Sequence, residues 1–427
     1  MSASGGTGTS FGWREGWRYG LMGLPLAFVA LPLYVLLPNH YARHFGVPLA
    51  ALGALLLGAR LFDALIDPLL GRWSDRLFAR SARSVLGAAA VASALLGLGF
   101  ALLFFPPVQA ADALLAWAGA CLMLTYAAFS ALSVMHQSWG ARLGGDEVQR
   151  SRIVAWREGL GLAGVILASI SPIALGLPAT VGIFFAAIGL GWLAWTQAPP
   201  PKPAAEPPVA TERDGRSLWL PWSRPGFRQL LTVFMVNGIA SAIPATLLLF
   251  FVQDVLQAPP AAEPLFLGAY FVAAAFSIPV WLQIIGRLGL ARAWGLGMLL
   301  SIAVFVFAAG LGAGDTAAFA AVCALSGIGL GADLAVPGAL LAGHIAKSGD
   351  QGAQEGSYFG WWNFASKLNL ALAAGLALPA LAAFGYQPGS RDGAALATLS
   401  AAYCLLPCAL KLLAATLLYT MIIRRTP

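Results

Sequence analysis

Three ionisable residues stand close together in an otherwise apolar stretch of the sequence. Arg60, Asp63 and Asp67 occur within GARLFDALIDPL. Their spacing of three and then four residues places all three side chains on one face of a helix. Two carboxylates and one guanidinium leave that face with a net negative charge, which a small cation such as Na⁺ or H⁺ would neutralise. The spacing therefore predicts a cation site; internal ion pairs that only lock helices together are the alternative.

The composition places these charges inside a membrane protein. Of the 427 residues, 59% are hydrophobic and only 10% are charged, whereas soluble domains carry about 25% charged residues. The mean hydropathy of +0.77 agrees with a chain that crosses the bilayer many times. Because a charged side chain within a span costs about 2.5–3.5 kcal/mol on insertion scales, each one is a functional candidate.

The apolar stretches predict twelve spans of about 20 residues each. A Pro-rich, charged segment over 198–227 interrupts them and cannot cross the bilayer. We therefore expect an all-α membrane protein with a six-helix bundle over 1–197, a cytoplasmic linker over 198–227 and a second six-helix bundle over 228–427. Two halves of six spans are typical of a transporter that alternates about a midplane site.

The basic residues predict the orientation of the chain. Of the 25 lysines and arginines, 19 lie at the termini, in the linker or in the even-numbered connections, and only Arg43 and Arg391 lie in the odd-numbered ones. This bias places both termini and the linker in the cytoplasm. It also explains the net charge of +7 without a nucleic-acid partner.

The charged segment continues into a longer pattern. Arg60, Asp63, Asp67, Pro68, Gly71, Asp75 and Arg76 stand at fixed spacing in the second span, and a separate segment in the eleventh span reads GSYFGWWNFASKLN. Together they resemble the glycoside–pentoside–hexuronide:cation symporters of the major facilitator superfamily, to which melibiose permease belongs. The resemblance implies the two-bundle fold of that superfamily and cation-coupled uptake of a small solute by alternating access.

The same resemblance assigns the coupling cation, H⁺ or Na⁺, to Asp63 and Asp67, with the Ser130 hydroxyl assisting and Ser133 as the fourth candidate ligand. Ser133 and Ala27 stand where sugar-transporting members carry carboxylates. These two departures remove charge-assisted hydrogen bonds to sugar hydroxyls, and they remove an oxygen ligand that Na⁺ would use. They favour H⁺ over Na⁺ and weaken the case for a galactoside.

Other polar residues within or beside the spans are candidates for the solute site or for a charge network. Interfacial anchoring is the alternative for the tryptophans, and a structural hydrogen bond is the alternative for the histidine. Lys367 is expected to pair with the acids of the second span or to meet an anionic substrate, and Asp333 is expected to balance Lys367. The solute candidates are Tyr34, His136, Gln137, Arg157, Trp361, Trp362, Asn363 and Lys367; the gating or charge-network candidates are Arg60, Asp75, Arg76, Glu158 and Asp333.

These observations predict a secondary transporter for a glycoside or an anionic sugar derivative. A lysophospholipid or other organic anion is the alternative substrate, and a non-transporting assembly or receptor protein is the alternative class. The sequence shows no metal spacing, nucleophile elbow or phosphate loop, so we expect neither an enzyme nor a cofactor. The expected partners are a small solute and the lipid bilayer, the expected state is a monomer, and the expected location is a bacterial inner membrane.

Overall fold

The computed structural model describes residues 11–108, 110–202, 218–259 and 262–425, and all regular structure within these ranges is helical. Residues 203–217, the middle of the predicted linker, lie outside the described part of the chain, as does the side chain of Arg43. The chain divides into two compact units. Unit 1 comprises Met1–Ile66, Trp73–Pro207 and Gln351–Gly356, and unit 2 comprises Asp67–Arg72, Pro208–Asp350 and Ser357–Pro427.

The helices of the first half begin near the N-terminus and include two that exceed 30 residues. A short π-helical segment, Pro32–Leu36, joins the second and third of them. In chain order they are α1 Trp13–Gly20, α2 Gly23–Leu31, α3 Leu37–His44, α4 Leu49–Arg80, α5 Ala82–Phe104, α6 Ala111–Leu143, α7 Glu147–Ala174 and α8 Gly176–Thr196.

The helices of the second half follow the linker. Two further π-helical segments occur here: Phe251–Val255 extends α10 at its C-terminal end, and Ala401–Leu405 joins α16 to α17. In chain order the helices are α9 Leu220–Ser223, α10 Pro225–Phe250, α11 Glu263–Leu288, α12 Leu290–Ala308, α13 Thr316–Ala335, α14 Pro337–Lys347, α15 Glu355–Ala383, α16 Gly393–Ser400 and α17 Leu406–Met421.

Among the described residues, eleven helical stretches are long and apolar enough to cross a membrane. The one predicted span that is not among these eleven is the second in the chain. It corresponds to α4, which has 32 residues and carries Arg60, Asp63 and Asp67 in its middle. The helix continues through a charged end to Arg80. α4 is therefore long enough to cross the bilayer, and it carries the predicted cation site.

The core of unit 2 forms where two π-helical segments meet. The Phe251 ring stacks on the Tyr403 ring at 4.3 Å between centroids, and both side chains are buried. Phe319 of α13 lies beside them, 5.5 Å from Phe251 between ring centroids. Since lipid is as apolar as these side chains, such packing gains stability from close contact rather than from removal of water.

Small residues bring α2 and α7 together in unit 1. A side chain at Gly164 of α7 would clash with the backbone carbonyl of Leu24, and one at Gly23 would clash with the backbone carbonyl of Arg157. Glycine on both helices lets the two backbones approach, which is the usual way in which membrane helices associate. This approach fixes the position of Arg157, one of the predicted site residues.

We expect Gly164→Val to destabilise the protein by about 1–3 kcal/mol, because overpacking would force α2 and α7 apart. Gly182→Val is the matched control, since a side chain there would meet no atom within 4 Å. Unfolding of both purified variants in mixed micelles measures the difference. Equal stabilities of the two variants would show that the close approach contributes nothing.

Candidate functional site

Asp63 and Ser130 form a buried hydrogen bond inside unit 1. Asp63, on α4, is 2% exposed, and the Ser130 hydroxyl of α6 donates to its Oδ1 at 2.7 Å. A carboxylate with an adjacent hydroxyl offers the oxygen ligands that a proton or a small hard cation requires. Ser133, one helical turn further along α6, is half-buried. The structure thus brings together two of the four residues predicted to bind the cation.

Asp67 and Lys367 form a bidentate ion pair inside unit 2. Asp67 lies one turn after Asp63 on α4 and is fully buried. The Lys367 ammonium of α15 donates to Oδ1 at 3.0 Å and lies 2.8 Å from Oδ2. The Lys367 side chain is 20% exposed, so one end of this pair remains accessible. Of the two partners predicted for Lys367, the acids of the second span and an anionic substrate, the structure shows the first.

This ion pair changes the charge count of the predicted site. Arg60, Asp63 and Asp67 carry a formal charge of −1, and the Lys367 ammonium brings the total to zero. A cation that binds these carboxylates must therefore compensate for, or replace, an ammonium that is already there. The sequence pattern alone could not show this, because Lys367 lies 300 residues further along the chain.

Arg60 contacts an aromatic ring. Its guanidinium carbon lies 4.3 Å from the centroid of the Tyr34 ring, in the π-helical segment after α2. A cation over an aromatic face gains about 0.5–1 kcal/mol at an accessible position, and the Arg60 side chain is exposed. The structure therefore joins a predicted solute ligand, Tyr34, to a predicted charge-network residue.

Several predicted solute ligands are already occupied by internal contacts. His136 is fully buried, with its ring stacked 4.3 Å from that of Tyr19 and its Nε2 2.8 Å from the Tyr19 carbonyl oxygen. The Trp362 ring is buried against Phe234 at 3.8 Å between centroids. Trp361 is 9% exposed and donates to the Leu218 carbonyl at 2.9 Å. The structure thus gives these three side chains packing roles.

Trp361 belongs to a cluster that holds the described end of the linker. Its ring lies 4.9 Å from Trp219 and 5.2 Å from Trp222 between centroids.

An ion pair follows this cluster in the chain: Arg224 donates to both carboxylate oxygens of Asp350, at 2.8 and 3.1 Å. The hydrogen bond and the charge of Asp350 raise the pKa of the Arg224 guanidinium. The predicted linker therefore ends earlier than residue 227, because α9 and α10 begin at Leu220 and Pro225.

The remaining candidates for the solute site have side chains that are partly exposed. Gln137 and Asn363 are half-buried, and the Gln137 Oε1 is a buried atom without a hydrogen-bond partner among the described residues. Arg157 forms an ion pair with its neighbour Glu158, so its charge is balanced on α7 itself. The Gln137 amide oxygen is thus unsatisfied among the described residues, while the two predicted cationic solute ligands, Arg157 and Lys367, each have an anionic partner.

Asp333 does not balance Lys367, contrary to the prediction. Its carboxylate lies 3.0 Å from the ammonium of Lys411 on α17, and it also accepts hydrogen bonds from Asn237 at 3.0 Å and Trp294 at 2.7 Å. Lys411 also donates to the side-chain Oδ1 of Asn237 at 2.9 Å. Lys411 was not predicted from the sequence as a site residue. Its position inside an apolar span was the signal that could have found it.

Asp75, a predicted charge-network residue, belongs to a group in unit 1 whose other charged members, Arg142 and Glu355, were not predicted. The Arg142 guanidinium lies 3.3 Å from Asp75 and 2.9 Å from Glu355, and Arg142 and Glu355 are both buried. Asp75 also accepts the Gly356 backbone N–H at 2.7 Å, in the first turn of α15. This carboxylate therefore stabilises a helix N-terminus. Arg76, the other predicted charge-network residue here, is exposed.

The helices and the charge pairs within them define an integral membrane protein of the transporter class, since paired ionisable residues inside spans mark solute and ion pathways. The family model described as MFS/sugar transport protein matches residues 18–425. The chain belongs to this family. The match confirms the predicted fold class and the resemblance within the major facilitator superfamily.

One curated relative and several solved structures are similar to the chain. "Putative glycoside/cation symporter YagG" of Escherichia coli (strain K12) is 29% identical over 166 residues, which span 38% of this chain and 35% of that protein's length. The Escherichia coli fucose:proton symporter FucP superimposes with a TM-score of 0.67 and 15% identity, over 94% of this chain and 96% of FucP.

A bacterial homologue of the iron transporter ferroportin, in its outward-facing state, has a TM-score of 0.67 and 17% identity, over 94% of this chain and 99% of that one. At these identities the solved structures establish the fold alone. The all-helical major facilitator fold predicted from the spans is thereby confirmed.

The Asp333–Lys411 pair predicts a large effect of removing one charge. We expect Lys411→Met to destabilise the protein by about 1.5–3 kcal/mol, because it leaves the half-buried Asp333 carboxylate without its charged hydrogen-bond donor. The double variant Asp333→Asn, Lys411→Met removes both charges and should recover most of that loss. Unfolding in mixed micelles measures both. A single variant as stable as the parent would contradict this role.

Proposed function

We propose that the protein is a cation-coupled symporter that accumulates a neutral glycoside by alternating access. One observation carries the proposal: two buried carboxylates, Asp63 and Asp67, lie one turn apart on α4, the first bonded to a hydroxyl and the second to an ammonium. Buried charges of this kind are costly, and they are found where a membrane protein moves ions or solutes. The named activity of the Escherichia coli relative, glycoside/cation symport, supports the same function.

Competition for Asp67 supplies the coupling. A proton or Na⁺ that binds Asp63 and Asp67 would take over the charge balance that the Lys367 ammonium now provides. Lys367 has a long, flexible side chain that is 20% exposed, so it can withdraw without breaking a packed core. Because carboxylates adjacent in space bind a cation more strongly than either does alone, loading would be cooperative with the release of Lys367. The released ammonium is then hydrated through its accessible end, so Lys367 serves the coupling and does not bind the solute.

The two cationic side chains predicted to bind the solute, Arg157 and Lys367, each have an anionic partner already, and this favours a neutral solute. An anionic sugar derivative or a lysophospholipid headgroup would require an uncompensated positive charge. Arg157 is paired with Glu158, and Lys367 with Asp67. Each unit instead has a half-buried amide among the solute candidates, Gln137 in unit 1 and Asn363 in unit 2, and amide donors and acceptors match sugar hydroxyls. A neutral glycoside therefore fits these side chains better than an organic anion does.

The positive-inside bias supports a location in a bacterial inner membrane with both termini cytoplasmic. The exposed Ser81, between α4 and α5, lies in one of the connections that this orientation places in the cytoplasm. Ser81→Cys should react with an impermeant maleimide only after the cytoplasmic face is opened. Reaction in intact cells would reverse the proposed orientation.

A ligand screen tests the substrate class. Neutral methyl glycosides of hexoses and pentoses should raise the melting temperature of the purified protein, because ligands that bind only the folded state stabilise it. Glucuronides and lysophosphatidylcholine should leave it unchanged at equal concentrations. Stabilisation by the glucuronides or the lysolipid alone would replace the neutral glycoside by an organic anion.

Flux of cation with solute tests the coupling. In proteoliposomes without an imposed gradient, entry of a glycoside found in the screen should carry H⁺ or Na⁺ inward, followed with a pH electrode or ²²Na⁺. Asp67→Asn should abolish accumulation and cation flux, because it removes the carboxylate that exchanges Lys367 for the cation. Asp392→Asn, at an exposed helix cap, is the matched control and should transport like the parent. Full gradient-driven accumulation by Asp67→Asn would refute the mechanism.

A further inference from the structure

Unit 2 contains a cavity of about 190 Å³ among α10, α11, α12, α13 and the region from Tyr403 to Lys411. None of its lining residues belongs to α4, α6 or α15, so it is separate from the residues proposed to couple cation and solute. For comparison, an engineered cavity of about 150 Å³ in a soluble protein holds a benzene molecule. The cavity therefore has room for one six-membered ring with a small substituent.

Aromatic side chains form much of the cavity wall. Phe266 and Tyr270 of α11 face it, as do Phe305 of α12 and Tyr403. The Phe305 and Tyr403 rings are tilted at 37° with centroids 5.5 Å apart. Aromatic rings gain about 0.5–1.5 kcal/mol from offset or edge-on contacts beyond their buried area. This lining favours a planar aromatic ring over an aliphatic chain.

The ion pair Asp333–Lys411 closes the polar end of the cavity. Asn237 and Trp294 complete the hydrogen bonds of the Asp333 carboxylate. The pair is thus charge-balanced and well bonded, and it presents a dipolar surface without a net charge. Because burying an ion beside it would cost free energy without a new counter-ion, a neutral polar group is the one that fits.

Ser326 supplies a second polar position in the cavity wall, about two helical turns from Asp333 along α13. It lies on α13 seven residues before Asp333, on the same helix face, and it is 6% exposed. Its Oγ is a buried atom with no hydrogen-bond partner among the described residues, although it lines the cavity. Ser301, which also lines the cavity, already donates to the Gly297 carbonyl at 3.0 Å. A buried hydroxyl left unsatisfied is unfavourable, and a ligand hydroxyl would satisfy it.

We propose that this cavity binds a neutral phenol: one aromatic ring against Phe266, Tyr270 and Phe305, with its hydroxyl bonded to Ser326 Oγ. Two lining residues, Ala245 and Leu267, are exposed, so the ligand has a route of entry. The site holds a single ring and goes beyond the proposed transport of a glycoside. It would make the C-terminal half of the protein a receptor for small phenolic compounds.

Binding of 4-fluorophenol to the purified full chain tests this site, with ¹⁹F NMR as the readout and fluorobenzene as the probe that lacks the hydroxyl. The parent should bind both probes saturably, and empty micelles should not. Ser326→Ala should weaken 4-fluorophenol about fivefold, the size expected for one lost hydrogen bond, and should leave fluorobenzene unchanged. Ser93→Ala is the matched control, because Ser93 is also a buried, unpartnered serine but lies in α5.

A variant that fills the cavity separates binding there from partition into the micelle. Ala240 is fully buried and lines the cavity, so Ala240→Phe should abolish saturable binding of both probes. If Ala240→Phe does not fold, the smaller Ala240→Leu should weaken both probes. Saturable binding that survives filling, equal effects of Ser326→Ala and Ser93→Ala, or no saturable binding by the parent would each overturn the proposal. The transport assays are independent of all three outcomes.

Discussion

Charge inside a membrane span must be neutralised within the protein, and this constraint organises the described structure. Asp67 pairs with Lys367, Asp333 with Lys411, and Arg157 with its neighbour Glu158. The first two pairs each join different helices, so each also sets how those helices are rotated about their axes. An unpaired buried charge would cost several kcal/mol. The positions of the charges therefore determine much of the packing around them.

The two pairs within unit 2 differ in how firmly they are held. Asp333 and Lys411 share further hydrogen bonds with Asn237 and Trp294, which makes a closed and satisfied network. Lys367 lies at the end of a partly exposed side chain and contacts a carboxylate that is fully buried. A closed network is suited to holding helices in place, whereas an accessible ammonium can exchange with a cation. This contrast supports a structural role for the first pair and the coupling role that we propose for the second.

The sequence predicted the features that depend on local pattern. Length and apolarity gave the spans, and the spacing of Arg60, Asp63 and Asp67 placed them on one helix. The pairing of charges across helices was beyond such reasoning, because it depends on helix rotation. The predicted partner of Asp333 was thus Lys367 rather than Lys411. Of the buried group of Asp75, Arg142 and Glu355, only Asp75 was predicted.

The aromatic candidates for the solute site also show that local sequence does not reveal contacts between helices. The chemistry of Trp361 and His136 fits a solute site, but only packing decides whether a ring faces a cavity or a neighbour. His136 stacks on Tyr19, and Trp361 lies against Trp219. Nothing in the local sequence distinguishes these positions from half-buried ones such as Gln137 and Asn363.

Competition between Lys367 and the coupling cation for Asp67 is the central claim, and cation affinity tests it most directly. Binding of ²²Na⁺, or proton uptake at a pH electrode, should be measured on purified parent, Lys367→Met and the exposed-site control Lys347→Met. The account predicts that Lys367→Met reaches half-saturation at a cation concentration about tenfold or more lower, because one competing positive charge is gone. An unchanged or weaker cation affinity in Lys367→Met would contradict it.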